Sequence, residues 1–133
     1  MLVVAGPKAR DVLTPLTDAD LTNAGFRWLS GQEIEIAGIP VRALRVNYVG
    51  ELGWELHTHM AELARLYDAI WAEGAAHGIA DFGVHAVNSL RMEKAYRGFG
   101  SELTNEITLI EADCERFYAP GKGDFIGRAA TEK

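Results

Sequence analysis

Residues 32–55 restrict the fold more than any other stretch of the chain. Gln32 to Ala37 alternates, with Ile34 and Ile36 on one face and Glu33 and Glu35 on the other, which is the period-two pattern of a half-solvated strand. Gly38-Ile39-Pro40 signals a turn, and Val41 to Tyr48 reads as a second strand, so the pair forms a hairpin. Gly50 and Gly53 punctuate the next turn, and Trp54 to His57 begins a third strand. Strands joined this closely point to a mostly antiparallel sheet.

The flanking segments add helices. Leu2 to Ala5 is a short apolar strand stopped by Gly6, and Pro7 suits the first position of a helix that carries Ala9, Val12, Leu13 and Leu16 at helical spacing. Asp18 to Gly25 reads as a short helix or turn, with Asp18 as a candidate N-cap. Ala61 to His77 is the clearest helix, with Leu63, Leu66, Tyr67, Ile70 and Trp71 in one stripe, Thr58 as a candidate cap and Gly78 just past its end. A second helix is expected from about Phe82 to Arg97, entered through Asp81 and stopped by Gly98. Val84, Val87, Met92 and Ala95 share an arc of it, with the polar Asn88 and Arg91 inside that arc. Asp124 to Glu132 looks like the start of a further helix. The class is α+β, a mostly antiparallel sheet with helices packed on one face.

A length of 133 residues suits one domain, residues 1–133, with a real core. Thirteen basic against nineteen acidic residues give a net charge of −6, which offers no footprint for nucleic acid and would be repelled by an anionic membrane. The single cysteine forms no internal disulfide and fits a reducing, cytoplasmic setting. No apolar run approaches the roughly 18 residues of a membrane span, and Leu2 to Pro7 is too short for a signal segment.

Phosphate-cradling and dinucleotide glycine motifs are absent from the sequence. His57 and His59 would share a strand face, but nothing nearby supplies further ligands, so no metal is expected. Cys114, in Asp-Cys-Glu, has no activating neighbour and reads as a buried inert thiol. The informative segment is Tyr48-Val49-Gly50-Glu51-Leu52-Gly53-Trp54-Glu55. A carboxylate accepts two parallel hydrogen bonds, which matches the paired N–H donors on the edge of a pterin or guanidinium-like ring, and Tyr48 and Trp54 offer faces for stacking. From composition alone, an ordinary hairpin with its acids in solvent is the plainer reading. A second segment, Asn88 to Gly100, places Arg91 and Glu93 on nearly opposite sides of a helix, so each is expected to tie the helix to a different element.

Together these two segments resemble the folate-binding aminomethyltransferase family, the T protein of the glycine cleavage system and its relatives. The resemblance rests on Tyr48 to Glu55 and on Ser89-Leu90-Arg91-Met92-Glu93. It is extended by Ala5-Gly6-Pro7 with Ala9, by Gly100 with Glu102, and by Asp124-Phe125-Ile126-Gly127-Arg128. The stretches Asn88 to Lys94 and Glu102 to Glu106 look closest to the C-terminal folate domains of dimethylglycine and sarcosine dehydrogenases. No Lys-Gly-Cys-Tyr motif of the iron–sulfur-assembly branch is found.

The resemblance implies a ferredoxin-like portion of the aminomethyltransferase folate-binding fold, and tetrahydrofolate as cofactor. It implies transfer of an aminomethyl or iminium carbon, from glycine or an N-methyl amine, to tetrahydrofolate. Carried over, Glu55 is the carboxylate that grips the pterin, Tyr48 is a pocket wall, and Phe99 stands where many relatives carry a tyrosine near the pocket. Val87 stands where T proteins carry a folate-contacting arginine. The family's acid–base aspartate belongs upstream of the segment matching Leu2 to Gly6, and its barrel follows the segment matching the end of this chain. The expectation is therefore a central segment of the family architecture that supplies part of the folate site, with the catalytic residues unknown. The alternatives are a non-catalytic stand-alone folate-binding or interaction module, or a truncated gene product. Open sheet edges are expected to be covered by homodimerisation or by the remaining domains.

Overall fold

The hairpin is present, with strands β2 (Gly31–Ile36) and β3 (Ile39–Leu44) in antiparallel register. Its turn is the residue pair Ala37-Gly38 rather than Gly38-Ile39-Pro40, and Pro40 lies inside β3 opposite Glu35. The computed structural model describes residues 1–132; Lys133, the last residue of the expected domain, lies outside them. Strand β1 (Leu2–Ala5) pairs with β4 (Gly53–His57), and β4 pairs with β3, all antiparallel. The sheet order is β1-β4-β3-β2, which places β4 in the interior and β1 at one edge. With its helices this is an α+β fold.

Register explains where the core sits. Leu2 faces Leu56, Val4 faces Trp54, Leu56 faces Ala43, Ile34 faces Val41 and Ile36 faces Ile39, so all of these apolar side chains leave one side of the sheet. Helix α1 (Ala9–Leu13) and helix α2 (Leu63–Gly74) cover that side through Ala9, Val12, Leu13, Leu66 and Ile70. Phe26 meets the Trp54 ring edge-on, at 6.2 Å between centroids. The guanidinium groups of Arg10 and Arg45 sit about 6 Å from the same ring, at 6.0 and 5.9 Å. Both donate to Asn23 Oδ1, and their other bonds, to Leu21 O and Phe26 O, tie down the segment between α1 and β2. Burial and the neighbouring Arg10 together lower the Arg45 pKa.

Several boundaries differ from the sequence expectation. Pro7 lies in the turn before α1, which starts two residues later. Residues 18–25 form turns without a helix, and Asp20 rather than Asp18 caps locally by accepting from Thr22 N. Thr58 donates to Pro40 O instead of capping α2, which is entered through a 3-10 turn at Met60–Glu62. Gly78 does stand just past the helical segment, at φ 76°. Helix α3 covers only Val84–Glu93, because Ala95 takes a positive φ of 55° and ends it before Gly98. Its expected apolar arc is only partly covered: Val84 and Met92 are exposed, Val87 is half-buried, and the buried residue is Arg91, which lies within the arc.

The chain divides into two compact units, Met1–Lys94 and Ala95–Lys133. The second has few regular elements. Gly98 O accepts from the N–H groups of Ser101, Glu102 and Leu103, and Phe99 bridges to Leu103. The expected terminal helix is the short α4 (Arg128–Thr131). In this unit Ala112 and Cys114 are the buried apolar residues. The Cys114 thiol donates to Ala112 O at 3.4 Å.

Candidate functional site

The residues between β3 and β4 are shaped by Asn47. Its Oδ1 accepts from the N–H groups of Val49 (3.0 Å) and Glu51 (3.3 Å), and its Nδ2 donates back to Glu51 O. This side-chain mimic of a backbone turn folds residues 47–51 tightly and leaves Gly50 at φ 74°. A Cβ at Gly50 would lie 2.3 Å from Lys94 Cγ, so the glycine also allows α3 to close on the turn. Lys94 reaches Glu51 at 3.5 Å. The turn then delivers Gly53 against the backbone of β1, and β4 begins.

Glu55 occupies an interior strand, on the side of the sheet away from the helices, opposite Val3 and Leu44. Its side chain is 28% exposed. With Tyr48 it lines a cavity of about 390 Å³ at the β1 edge, within the first unit. Val3 and Val87 contribute apolar walls, and Tyr67, Trp71 and Phe82 contribute rings. Tyr67 and Trp71 stack at 5.6 Å with an interplanar angle of 18°. The phenol of Tyr67 donates to Asp81 Oδ2 at 3.0 Å. That bond, with burial and the negative charges of Asp81 and Asp68, pushes the Tyr67 phenol above its ordinary range. Among the described residues, the charged side chains lining the cavity are Glu55 and Asp81, both acceptors.

A hollow with a partly buried carboxylate, aromatic walls and, among the described residues, no lining cationic side chain suits a flat ligand that presents N–H donors. The family is decided by sequence relationship. The family model "GCVT N-terminal domain" matches residues 1–122.

This chain belongs to the GCVT N-terminal domain family.

Among relatives of this GCVT-family chain, it is 45% identical to dimethylglycine dehydrogenase, mitochondrial, of Mus musculus, over all of the chain and 15% of the relative. It is 42% identical to sarcosine dehydrogenase, mitochondrial, of the same species, again over all of the chain and 15% of the relative. It is 37% identical to the aminomethyltransferase of Saccharopolyspora erythraea, over 97% of the chain and 35% of the relative. The chain thus spans about a third of the aminomethyltransferase and a much smaller share of the two dehydrogenases.

Of the three residues singled out by resemblance, Glu55 and Tyr48 share the cavity. Phe99 belongs to the second unit, where it is 95% exposed. Val87 lines the cavity, so the position at which the resemblance places an arginine in T proteins contributes an apolar wall here. Asn88 and Arg91 pair, with Arg91 Nε and Nη2 donating to Asn88 Oδ1 at 2.9 and 2.6 Å. Sequence reasoning missed Asn47, whose position just before Tyr-x-Gly is itself a turn signal. It also missed the Tyr67–Asp81 pair, because a helix residue and a loop residue 14 apart leave no local pattern. Among the described residues, no group of three or more His, Cys, Asp or Glu could hold a metal ion. None of the described helices is long and apolar enough to cross a membrane.

Proposed function

We propose that this chain supplies the pterin grip of a tetrahydrofolate-dependent one-carbon transfer. The reaction passes an aminomethyl or iminium carbon, derived from glycine or an N-methyl amine, to tetrahydrofolate. The observation that carries the reading is the placement of Glu55. Glu55 lines a cavity with an aromatic wall from an interior strand, and backbone pairing on both sides of β4 holds that strand in place. The two carboxylate oxygens would receive the paired N–H donors of the pterin edge, and Tyr48 would cover a ring face. Bound tetrahydrofolate supplies the nitrogen that accepts the one-carbon unit. The protein's own part is to bind and orient it.

Family membership supports the reaction class, and the chain's limited share of its relatives' length supports a partial site completed by further domains. The outer edge of β1 has no strand partner among the described residues, and Val3 on it is 40% exposed. This supports association there, with a second copy or with the rest of a longer chain. A monomer by light scattering, with nothing else covering that edge, would overturn it.

Titration with a reduced folate tests the grip. Glu55→Gln keeps the shape and loses one acceptor and the charge, so affinity should fall about tenfold or more, the cost of a hydrogen bond to a charged group. Unchanged affinity would overturn the assignment. An assay of methylenetetrahydrofolate formation from an N-methyl amine donor separates enzyme from module. Binding without turnover by the complete protein would favour a non-catalytic folate-binding module. Turnover by these 133 residues alone would overturn the need for an upstream aspartate.

A further inference from the structure

Strand alternation sends residues 55 and 57 out of the same face of β4, so Glu55 has a neighbour on its own strand. His57 Nε2 lies 3.5 Å from Glu55 Oε2. That nitrogen is shielded from solvent and makes no hydrogen bond among the described residues, although the side chain as a whole is 42% exposed. The other groups on this face do not compete for the carboxylate. Val3 of β1 and Leu44 of β3 stand opposite Glu55 and are apolar. Arg42 of β3 stands opposite His57, and Glu33 of β2 engages it at 2.6 Å.

A carboxylate that must accept two parallel N–H bonds works best when its plane is fixed before the ligand arrives, and it has lone pairs to spare for that purpose. We infer that His57 is the positioning residue for Glu55. Its Nε2–H closes the 3.5 Å gap when ligand binds and donates to Oε2, which holds the carboxylate plane toward the cavity. The inference rests on the reading of Glu55 as the pterin acceptor. It adds a residue that neither the sequence motif nor the family resemblance singled out. The same pairing gives the otherwise idle ring nitrogen a partner.

The test uses the protein at its full natural length, with His57→Phe (ring kept, donor lost) and His57→Gln (a side-chain N–H kept). The ligands are tetrahydrofolate and an analogue lacking the exocyclic amino group of the pterin. His57→Phe should weaken tetrahydrofolate about tenfold, as loss of one hydrogen bond to a charged group does. His57→Gln should recover most of that loss. The analogue, which presents one donor fewer, should bind the wild type and His57→Phe within about twofold of each other, since a fixed carboxylate plane matters most to a paired contact. The ¹⁵N resonance of His57 Nε2 should shift on adding tetrahydrofolate, and should stay put in Glu55→Gln. If His57→Phe binds tetrahydrofolate like the wild type while Glu55→Gln is impaired, the inference fails and the Glu55 reading stands. Equal weakening of both ligands, or no rescue by His57→Gln, reduces His57 to a structural role and overturns it. If Glu55→Gln binds normally, the functional reading fails and the inference falls with it.

Discussion

Ile36 and Ile39 face each other, both fully buried, across a two-residue turn in which Ala37 and Gly38 have φ of 51° and 70°. Positive φ at both central residues matches the twist of the flanking strands, and it favours Asn, Asp or Gly there. Alanine in this conformation carries a penalty of about 1 kcal/mol. Ala37→Asn should therefore raise stability by about 0.5–1 kcal/mol, and the β-branched Ala37→Val should lower it by at least as much. Urea denaturation checks both: the midpoints should move in opposite directions with an unchanged slope.

Gly53 is required by space rather than by dihedral angle. A Cβ there would lie 2.6 Å from Val4 O and 3.0 Å from Ala5 Cα, both backbone atoms of β1. Gly53→Ala should cost about 1–3 kcal/mol and loosen the β1–β4 pairing that frames the cavity. Faster amide exchange in residues 2–5 is the expected signature. Parent-like exchange there, with an unchanged melting temperature, would show that the strands can separate without cost.

Tyr67 and Asp81 give a spectroscopic prediction. The phenol donates to the carboxylate, so ionising it would lose that bond and set two negative charges together, and its pKa is raised. Asp81→Asn should move one tyrosine's titration back toward the ordinary value of about 10. Ultraviolet absorbance follows this, with Tyr67→Phe identifying the ring. A raised pKa in the folded state means that the pair's contribution to stability is complete below the ordinary phenol range. It is lost as pH climbs through the raised value.

The sheet was legible because its signals are local. The alternation through Ile34 and Ile36, and the glycines at 38, 50 and 53, fix strands and turns from neighbours in sequence. Helix α3 was less legible, for a physical reason. Its apolar Val84 and Met92 are exposed while Arg91 is buried, so the pattern rule that apolar residues face the core holds only at Val87. At the site, the motif from Tyr48 to Glu55 located the carboxylate. It could not show that Asn47 shapes the turn, or that Tyr67, Trp71 and Asp81 complete the cavity, since these depend on how α2 packs beside β1. The C-terminal helix was overestimated because Asp124 to Glu132 has helical composition, whereas Gly127 takes a φ of 90° and confines the helix to Arg128–Thr131.

The apolar cluster of the sheet, α1 and α2, with its partly buried neighbours, ends at Ile79, and among the described residues the second unit buries only Ala112 and Cys114 of its hydrophobic side chains. Calorimetry should register that imbalance. A heat-absorption peak drawn from about 80 cooperative residues corresponds to roughly 55 kcal/mol near 60 °C, against roughly 90 kcal/mol if all described residues melted together. The residues beyond those cooperative ones would then contribute a shallow slope before the peak instead of a share of its area.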